Sequence, residues 1–311
     1  MALFLKPVFQ ERIWGGSALT QFNYNIPNDL TGECWAISAL PHGSNEIENG
    51  PHQGKTLEQV WEEDKALFGN DKRDKFPLLT KILDANDKLS VQVHPDDAYA
   101  QAHGEGYGKT ECWYILDAKE DAEIIYGVNT DNQEELERMI DNKAFDALFH
   151  KVKVKPGDFF YVPAGTVHAI GAGIMILETQ QSSDTTYRIY DYDRKDKNGN
   201  TRELHLEQSK AVIDVTQTSP NITPKHETRN GQAYTQFVSN TFFTVEKWDI
   251  EGELTFEKPY EYCLVSVIEG SGEVIIDGET NNIEKGTHFI ITSEDLDITF
   301  KGDMSLIVSH P

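Results

Sequence analysis

Two polar side chains share one face of a short strand, and their types suit metal chemistry. In "LSVQVHPDD", residues 89–97, Leu89, Val91 and Val93 alternate with Ser90, Gln92 and His94, the period of a half-buried strand. Gln92 and His94 therefore point the same way, and Pro95 stops the strand behind them. A second histidine stands in "GDFFYVPAGTVHAIG", where a strand enters a tight Pro-Ala-Gly turn that presents His168 on the next strand. Neutral imidazole is a good zinc ligand, whereas a glutamine oxygen lies outside the usual set of His, Cys and carboxylate. A carboxylate is needed to offset an ion's charge, and two compete: "ECWAI" at 33–37 is echoed by "ECWYI" at 111–115, offering Glu33 and Glu111. The plain alternative for His168 is burial against a backbone carbonyl, and for Gln92 a hydrogen bond to substrate.

Other charged positions are sorted by the same logic. "GEGYGKT" at 104–110 is one residue short of a phosphate-binding P-loop and leads into a strand-like segment, whereas a P-loop caps a helix. It is rejected, but Lys109 stays of interest, two residues before Glu111 and on the same face. "SSDTTYRIYDYDR" supplies Asp184 and Arg188, four apart and so on one face if extended; such a pair is also compatible with a structural ion pair. Arg194 and Lys195 read as exposed loop charges.

The elements that must position these residues are mostly short β-rich runs separated by Gly and Pro. They include "CWAISAL", "FPLLTKIL", "AEIIYGV", "GIMILETQQ", "FTVEKWDI", "YCLVSVIEG", "HFIITS" and "MSLIVS", a pattern of antiparallel sandwiches or barrels. Helices are few. "TLEQVWEEDKALFG" starts with a capping-box Thr56 and Gln59 and carries Leu57, Val60, Trp61 and Leu67 as its apolar stripe. "DNQEELERMIDNKAFDALFHKV" and "LEQSKAVIDV" are two more, and Asp96–Asp97 begin a short helix near Ala98. "NGN" at 198–200 marks a turn. Residues 217–232 lack periodicity and read as a linker. The expected division is therefore 1–220 as a catalytic unit with short helical insertions, and 233–311 as a second β unit.

Composition narrows the class. With 28 basic and 52 acidic residues among 311, the formal charge is -24. Nucleic acid and anionic membranes both demand clustered positive charge and are excluded as expected partners; a small anion held in a cleft is not. Three cysteines without repeated spacing, and no signal or membrane-spanning segment, point to a reducing cytoplasm.

The spacing Gly157, Pro163, Gly165, His168 resembles the second sequence motif of the cupin β-barrels, although Ala172 stands where that motif carries asparagine. "QVH" then corresponds to the first motif, whose usual form is His-x-His, and Glu111 to its glutamate. The resemblance implies His94, Glu111 and His168 as metal ligands, with Gln92 conditional, and positions left open for substrate as in catalytic zinc sites. Residues 233–311 resemble a second cupin repeat whose site is gone: Thr292 replaces the motif proline, Asp297 its histidine, and His288 is out of step. That unit is expected to be structural or used in dimerisation. The fold class is thus mainly β, with two cupin-type jelly-roll barrels and a few short helices.

"IWGG", "FPLLTKIL", "LSVQVHPDD", "GKTECWYIL", "VPAGTVHAIG" and "SSDTTYRIYDYDR", in this order over residues 13–194, are similar to the type I mannose-6-phosphate isomerases, in their short bacterial form without the large helical insertion. The resemblance implies an aldose–ketose isomerase with one zinc ion per chain. It implies metal ligands Gln92, His94, Glu111 and His168, catalytic Arg188, Lys109 and Asp184, and substrate contacts from Trp14, Lys81 and Ser90. Lys109 would shuttle a proton with its pKa lowered by metal and burial. The partner would be a small sugar phosphate, and the chain a monomer or homodimer. An Fe(II) cupin dioxygenase and a non-catalytic sugar-phosphate binder are the competing classes.

Overall fold

The computed structural model describes every residue except Lys197 and 217–221. It is mainly β, with three sheets and five described α-helices. Two sheets hold the candidate residues. The six-stranded sheet runs in the order Val8–Gly16, Thr31–Ile37, Leu78–Ala85, Ile174–Gln181, Glu111–Ala118, Phe159–Val162, and the five-stranded sheet runs Tyr187–Tyr190, Val91–Val93, His168–Ala169, Glu123–Val128, Phe149–Lys153. All their pairings are antiparallel.

The two sheets close on a shared core in which Leu83, Trp113, Ile115 and Ile176 meet Ile124, Tyr126 and Ile170. The far side of the five-stranded sheet is covered by helices: Val91, Val93 and Ile189 pack with Leu136 and Ile140 of the helix Gln133–Asp141. The far side of the six-stranded sheet, with Cys34, Ala36, Ile82 and Leu177, packs on Leu264, Ile290 and Ile307 of the nine-stranded sheet and on Phe243 in one of its turns. That sheet curls around a core of its own, including Trp248, Val265, Phe289 and Phe300. Alternation explains each layer, because successive side chains of a strand serve opposite faces.

Several local expectations hold. The capping box forms, Thr56 Oγ1 accepting from Gln59 N–H and Gln59 Oε1 from Thr56 N–H. Asp96 caps the helix Asp97–Ala102 by accepting from Tyr99 N–H at 2.8 Å. Other segments differ. The helix Leu57–Glu63 stops at Asp64, and Leu67 lies in the following 3₁₀ turn Lys65–Phe68. The segment after Asn132 breaks at Lys143, whose φ of 54° leaves the helical region, so Phe145–Leu148 is a separate turn of helix and Phe149–Lys153 is a strand. Residues 225–232 are not linker: Lys225–Arg229 pairs with Gln232–Ser239 as an edge hairpin of the nine-stranded sheet, while 217–221 lie outside the described residues. Near the start of the chain, Leu3–Phe4 pairs with His288–Ile291 in that same sheet.

Candidate metal centre and substrate cavity

Cross-strand register, more than chain order, assembles the site. On the five-stranded sheet Gln92 is directly opposite both His168 and Arg188, so one rank reads Arg188, Gln92, His168. On the facing sheet the register Trp35–Lys81–Glu178–Trp113 forms another rank. Residues directly opposite across antiparallel strands lie about 5 Å apart at Cβ. Each rank therefore acts as a row of neighbours.

His94, Glu111 and His168 are all buried, and their donor atoms lie within 4.8 Å of one another. His94 Nε2 is 3.4 Å from Glu111 Oε2, and His168 Nε2 is 3.4 Å from Glu111 Oε1. Each ring is oriented from behind: His94 Nδ1 lies 2.9 Å from Thr185 O and His168 Nδ1 lies 2.9 Å from Thr166 O. A backbone carbonyl accepts only from N–H, so both rings carry the proton on Nδ1 and aim the Nε2 lone pair at Glu111, the arrangement typical of metal-ligating histidines. Burial, and for His94 also the Lys109 charge, lowers both imidazole pKa values, that of His94 to about 3, keeping the rings neutral. Burial alone would raise Glu111; the Lys109 ammonium leads the influences that outweigh it and hold the carboxylate well below its usual range. Glu111 Oε2 is buried between His94 Nε2 and the Lys109 ammonium. Two neutral imidazoles and one ionised carboxylate, converging with their donor atoms within 4.8 Å, fit a divalent ion held by three protein donors, which leaves coordination positions open.

A cavity of about 670 Å³ opens beside this cluster. Its lining includes Trp14, Lys81, Ser90, Gln92, Lys109, His168, Asp184 and Arg188, so the structure gathers all the remaining sequence-derived candidates around one space. Gln92 Nε2 lies 3.4 Å from His168 Nε2. Lys109 Nζ reaches His94 Nε2 at 3.1 Å and Glu111 Oε2 at 3.2 Å. Its pKa is raised: burial pulls it down, but Glu111 and Glu178 outweigh that. The expected lowering is thus reversed by the carboxylate beside it. Arg188 donates from Nε to Ser90 Oγ at 3.3 Å and from Nη1 to Glu203 O at 2.8 Å.

Three sequence expectations need correction. Asp184 does not pair with Arg188; it sits at the rim, 3.1 Å from His42 Nε2. Arg194 is no free loop charge, since Asp191 holds it at 2.6 Å, although Lys195 is exposed as expected. The barrel reading of "LSVQVH" would also have its apolar Val91 and Val93 pack between the sheets, whereas they face the helices. The competition between the two "ECW" glutamates also resolves: Glu33 is taken by Arg12, both carboxylate oxygens accepting at 3.0 Å, with Lys81 and Arg12 drawing its pKa down to about 2 against burial.

Sequence reasoning missed Glu178. It is buried in the cavity wall, accepts from Trp113 Nε1 at 3.3 Å through Oε2 and lies 3.6 Å from Lys81 Nζ through Oε1. Burial and the nearby Glu111 charge raise its pKa to about 7. The available signal was its polarity inside the run "IMILETQQ", where a charged residue has to face something.

Fold and donor set together define a cupin-type β protein with a buried His–Glu–His centre opening on a polar cavity. Two family profiles match the chain: phosphomannose isomerase type I, catalytic domain, over residues 3–130, and mannose-6-phosphate isomerase, cupin domain, over residues 233–311. The mannose-6-phosphate isomerase ManA of Bacillus subtilis is 51% identical over 309 residues, 99% of this chain and 98% of the relative. The mannose-6-phosphate isomerase of Streptococcus mutans is likewise 51% identical over 309 residues, with the same coverage. The crystal structure of the mannose 6-phosphate isomerase from Bacillus subtilis superposes with a TM-score of 0.97 at 49% identity, covering 100% of this chain and 99% of that one. The chain belongs to the type I phosphomannose isomerase family.

Proposed function

We propose that the protein is an isomerase that interconverts mannose 6-phosphate and fructose 6-phosphate with one zinc ion per chain. The observation that carries this reading is the convergence of His94, Glu111 and His168 at the edge of a cavity lined by Lys109, Glu178 and Arg188. Relatives of about half identical sequence bear that activity in their names. When bound, zinc supplies Lewis-acid polarisation of the sugar's C1 and C2 oxygens. His94, Glu111 and His168 are the ligands we assign, and Gln92 is either a fourth or a hydrogen-bond donor beside His168.

The remaining chemistry is a proton moved between C1 and C2 of the open-chain sugar through an enediolate. Arg188 braces the developing negative charge, a contribution of about 2–4 kcal/mol for a well-aimed donor. Lys109 and Glu178 are the groups assigned to the proton. Glu178 Oε1 accepts no hydrogen bond among the described residues, which leaves it able to take one from substrate. Lys109 keeps its ammonium against Glu111 and donates. Asp184 acts from the rim, and Trp14, Lys81 and Ser90 contact the sugar phosphate. Residues 1–220 form the catalytic unit in this reading, and 233–311 form a supporting unit without ligands. We assign the protein to the cytoplasm as a monomer or homodimer; no described helix is long and apolar enough to cross a membrane.

The test is metal content measured together with isomer exchange followed by NMR. Chelation should abolish conversion of mannose 6-phosphate, and zinc should restore it. Full turnover by metal-free protein would refute the reading. Tight binding of fructose 6-phosphate without exchange would reduce the protein to a sugar-phosphate binder.

A further inference from the structure

Five lysine or arginine side chains line the cavity: Arg12, Lys81, Lys109, Arg188 and Arg202. Four have a carboxylate within ion-pair distance, namely Glu33 for Arg12, Glu178 for Lys81, Glu111 for Lys109 and Asp191 for Arg202. Arg188 has none among the described residues. Among the described residues its guanidinium donates only to neutral groups, the Ser90 hydroxyl and the Glu203 carbonyl. In a chain of formal charge -24, an uncompensated guanidinium lining a cavity is a costly arrangement unless an anion comes to it.

Arg202 brings a second positive charge to the same region. It follows the turn closed by the Lys195–Thr201 bridge, and Asp191 fixes it by a two-pronged contact, Nε to Oδ2 at 2.7 Å and Nη2 to Oδ1 at 2.6 Å. Asp191 is itself buried and also held by Arg194. A guanidinium clamped on one edge keeps its other edge available, and Arg202 Nη1 has no partner among the described residues. After burial, the charge of Arg202 is the largest influence lowering the Arg188 pKa, so the two cations feel each other. The nearby acid Asp196, also in the lining, is engaged elsewhere: its Oδ1 accepts from the backbone N–H of Asn198 and Asn200. The Ser90 hydroxyl accepts from Arg188 and therefore has its own hydrogen to donate.

We propose that Arg202 is a substrate-binding residue, which beside the Ser90 hydroxyl holds the phosphate group at the cavity mouth while Arg188 serves the sugar's reacting end, and that Asp191 is the positioning residue that aims Arg202. The proposal rests on the sugar-phosphate reading of the cavity. Guanidinium–phosphate contacts are charge-assisted and bidentate, so one guanidinium held by its other edge fixes that end of a substrate.

Inorganic phosphate is the probe, because its binding to the metal-loaded protein can be measured by calorimetry without turnover. Arg202→Ala should weaken phosphate binding about tenfold, the equivalent of one good contact, and raise KM for mannose 6-phosphate by a similar factor, the loss falling on KM rather than kcat. Arg202→Lys should recover part of it, and Asp191→Asn should give a smaller loss in the same direction. Binding of unphosphorylated mannose should not respond to any of the three. Unchanged phosphate binding in Arg202→Ala, in a protein that isomerises normally, overturns the inference and leaves the activity standing. Equal losses for mannose and phosphate also overturn it, since they mark a structural role. Arg202-dependent phosphate binding in a protein that does not isomerise upholds the clamp and refutes the activity.

Discussion

His168 and His288 are equally buried, each 1% exposed, one in each β unit, yet their surroundings give them opposite uses. His168 has one nitrogen tied to a backbone carbonyl, which leaves the other facing a carboxylate and a second histidine. His288 has both nitrogens consumed by hydroxyls: Nδ1 lies 2.9 Å from Ser266 Oγ and Nε2 2.5 Å from Tyr24 OH. No carboxylate is within ion-pair distance of it among the described residues. The difference teaches that burial does not distinguish ligand from scaffold; what decides is whether one ring nitrogen is left aimed at a negative charge. His288 also joins units, since Tyr24 lies in the connection between the strands Val8–Gly16 and Thr31–Ile37 of the six-stranded sheet while Ser266 and His288 belong to the nine-stranded one.

Replacing each histidine in turn is the most direct way to break this contrast. His168→Ala should lose the metal and reduce activity by at least about a thousandfold, as removal of Lewis-acid stabilisation of several kcal/mol requires; metal analysis and NMR exchange check both. His288→Ala should keep one metal per chain but cost about 2–4 kcal/mol in denaturant unfolding, through a cavity and two hydroxyls left without partners. A metal-free His288→Ala protein would erase the distinction.

Acid should sharpen it. Burial lowers the His288 pKa to about 3, against about 6.5 in the unfolded chain. The unfolded state therefore takes up a proton first as pH falls. Stability from this residue is complete above about pH 6.5 and declines toward pH 3. At pH 5 the wild-type protein should have lost about 2 kcal/mol more than His288→Gln relative to pH 7.5, because the other titrating groups are common to both. Parallel pH dependences would contradict the assignment. The smallest effect expected is at Gln92, whose amide touches His168: Gln92→Ala should weaken zinc affinity about tenfold, within the range for groups that support metal ligands. Unaltered affinity in a metal competition titration would remove Gln92 from the centre.

Much of this was legible in the chain. The Gln-x-His alternation and the Pro-Ala-Gly turn before His168 are local signals, and the structure gathers those residues at one site. Long-range register was not legible, because nothing within "LSVQVH" states which strand lies beside it. Glu178 escaped notice for a related reason. Its strand Ile174–Gln181 is buried along its whole length, so the two faces lose the polar–apolar contrast that reveals alternation. Lys225–Arg229 failed in the opposite way: as a largely exposed edge strand, it carries polar residues on both faces, which protects an edge but looks like linker. The direction of the Lys109 shift depended on Glu111 being within 3.2 Å, a distance that two positions in a sequence do not fix.

The rank Arg188–Gln92–His168 has a consequence for how freely this chain can vary. Because the three residues are aligned by hydrogen-bonded strand pairing, those parts of the connecting segments that carry no site residue can lengthen or shorten without displacing the rank. A single residue inserted inside Val91–Val93 has no such freedom: side-chain direction alternates with period two, so the slip would turn the Gln92 position toward the helix-covered face. Innovation in this protein is thus open in the loops that carry no site residue and closed in three residues of one strand.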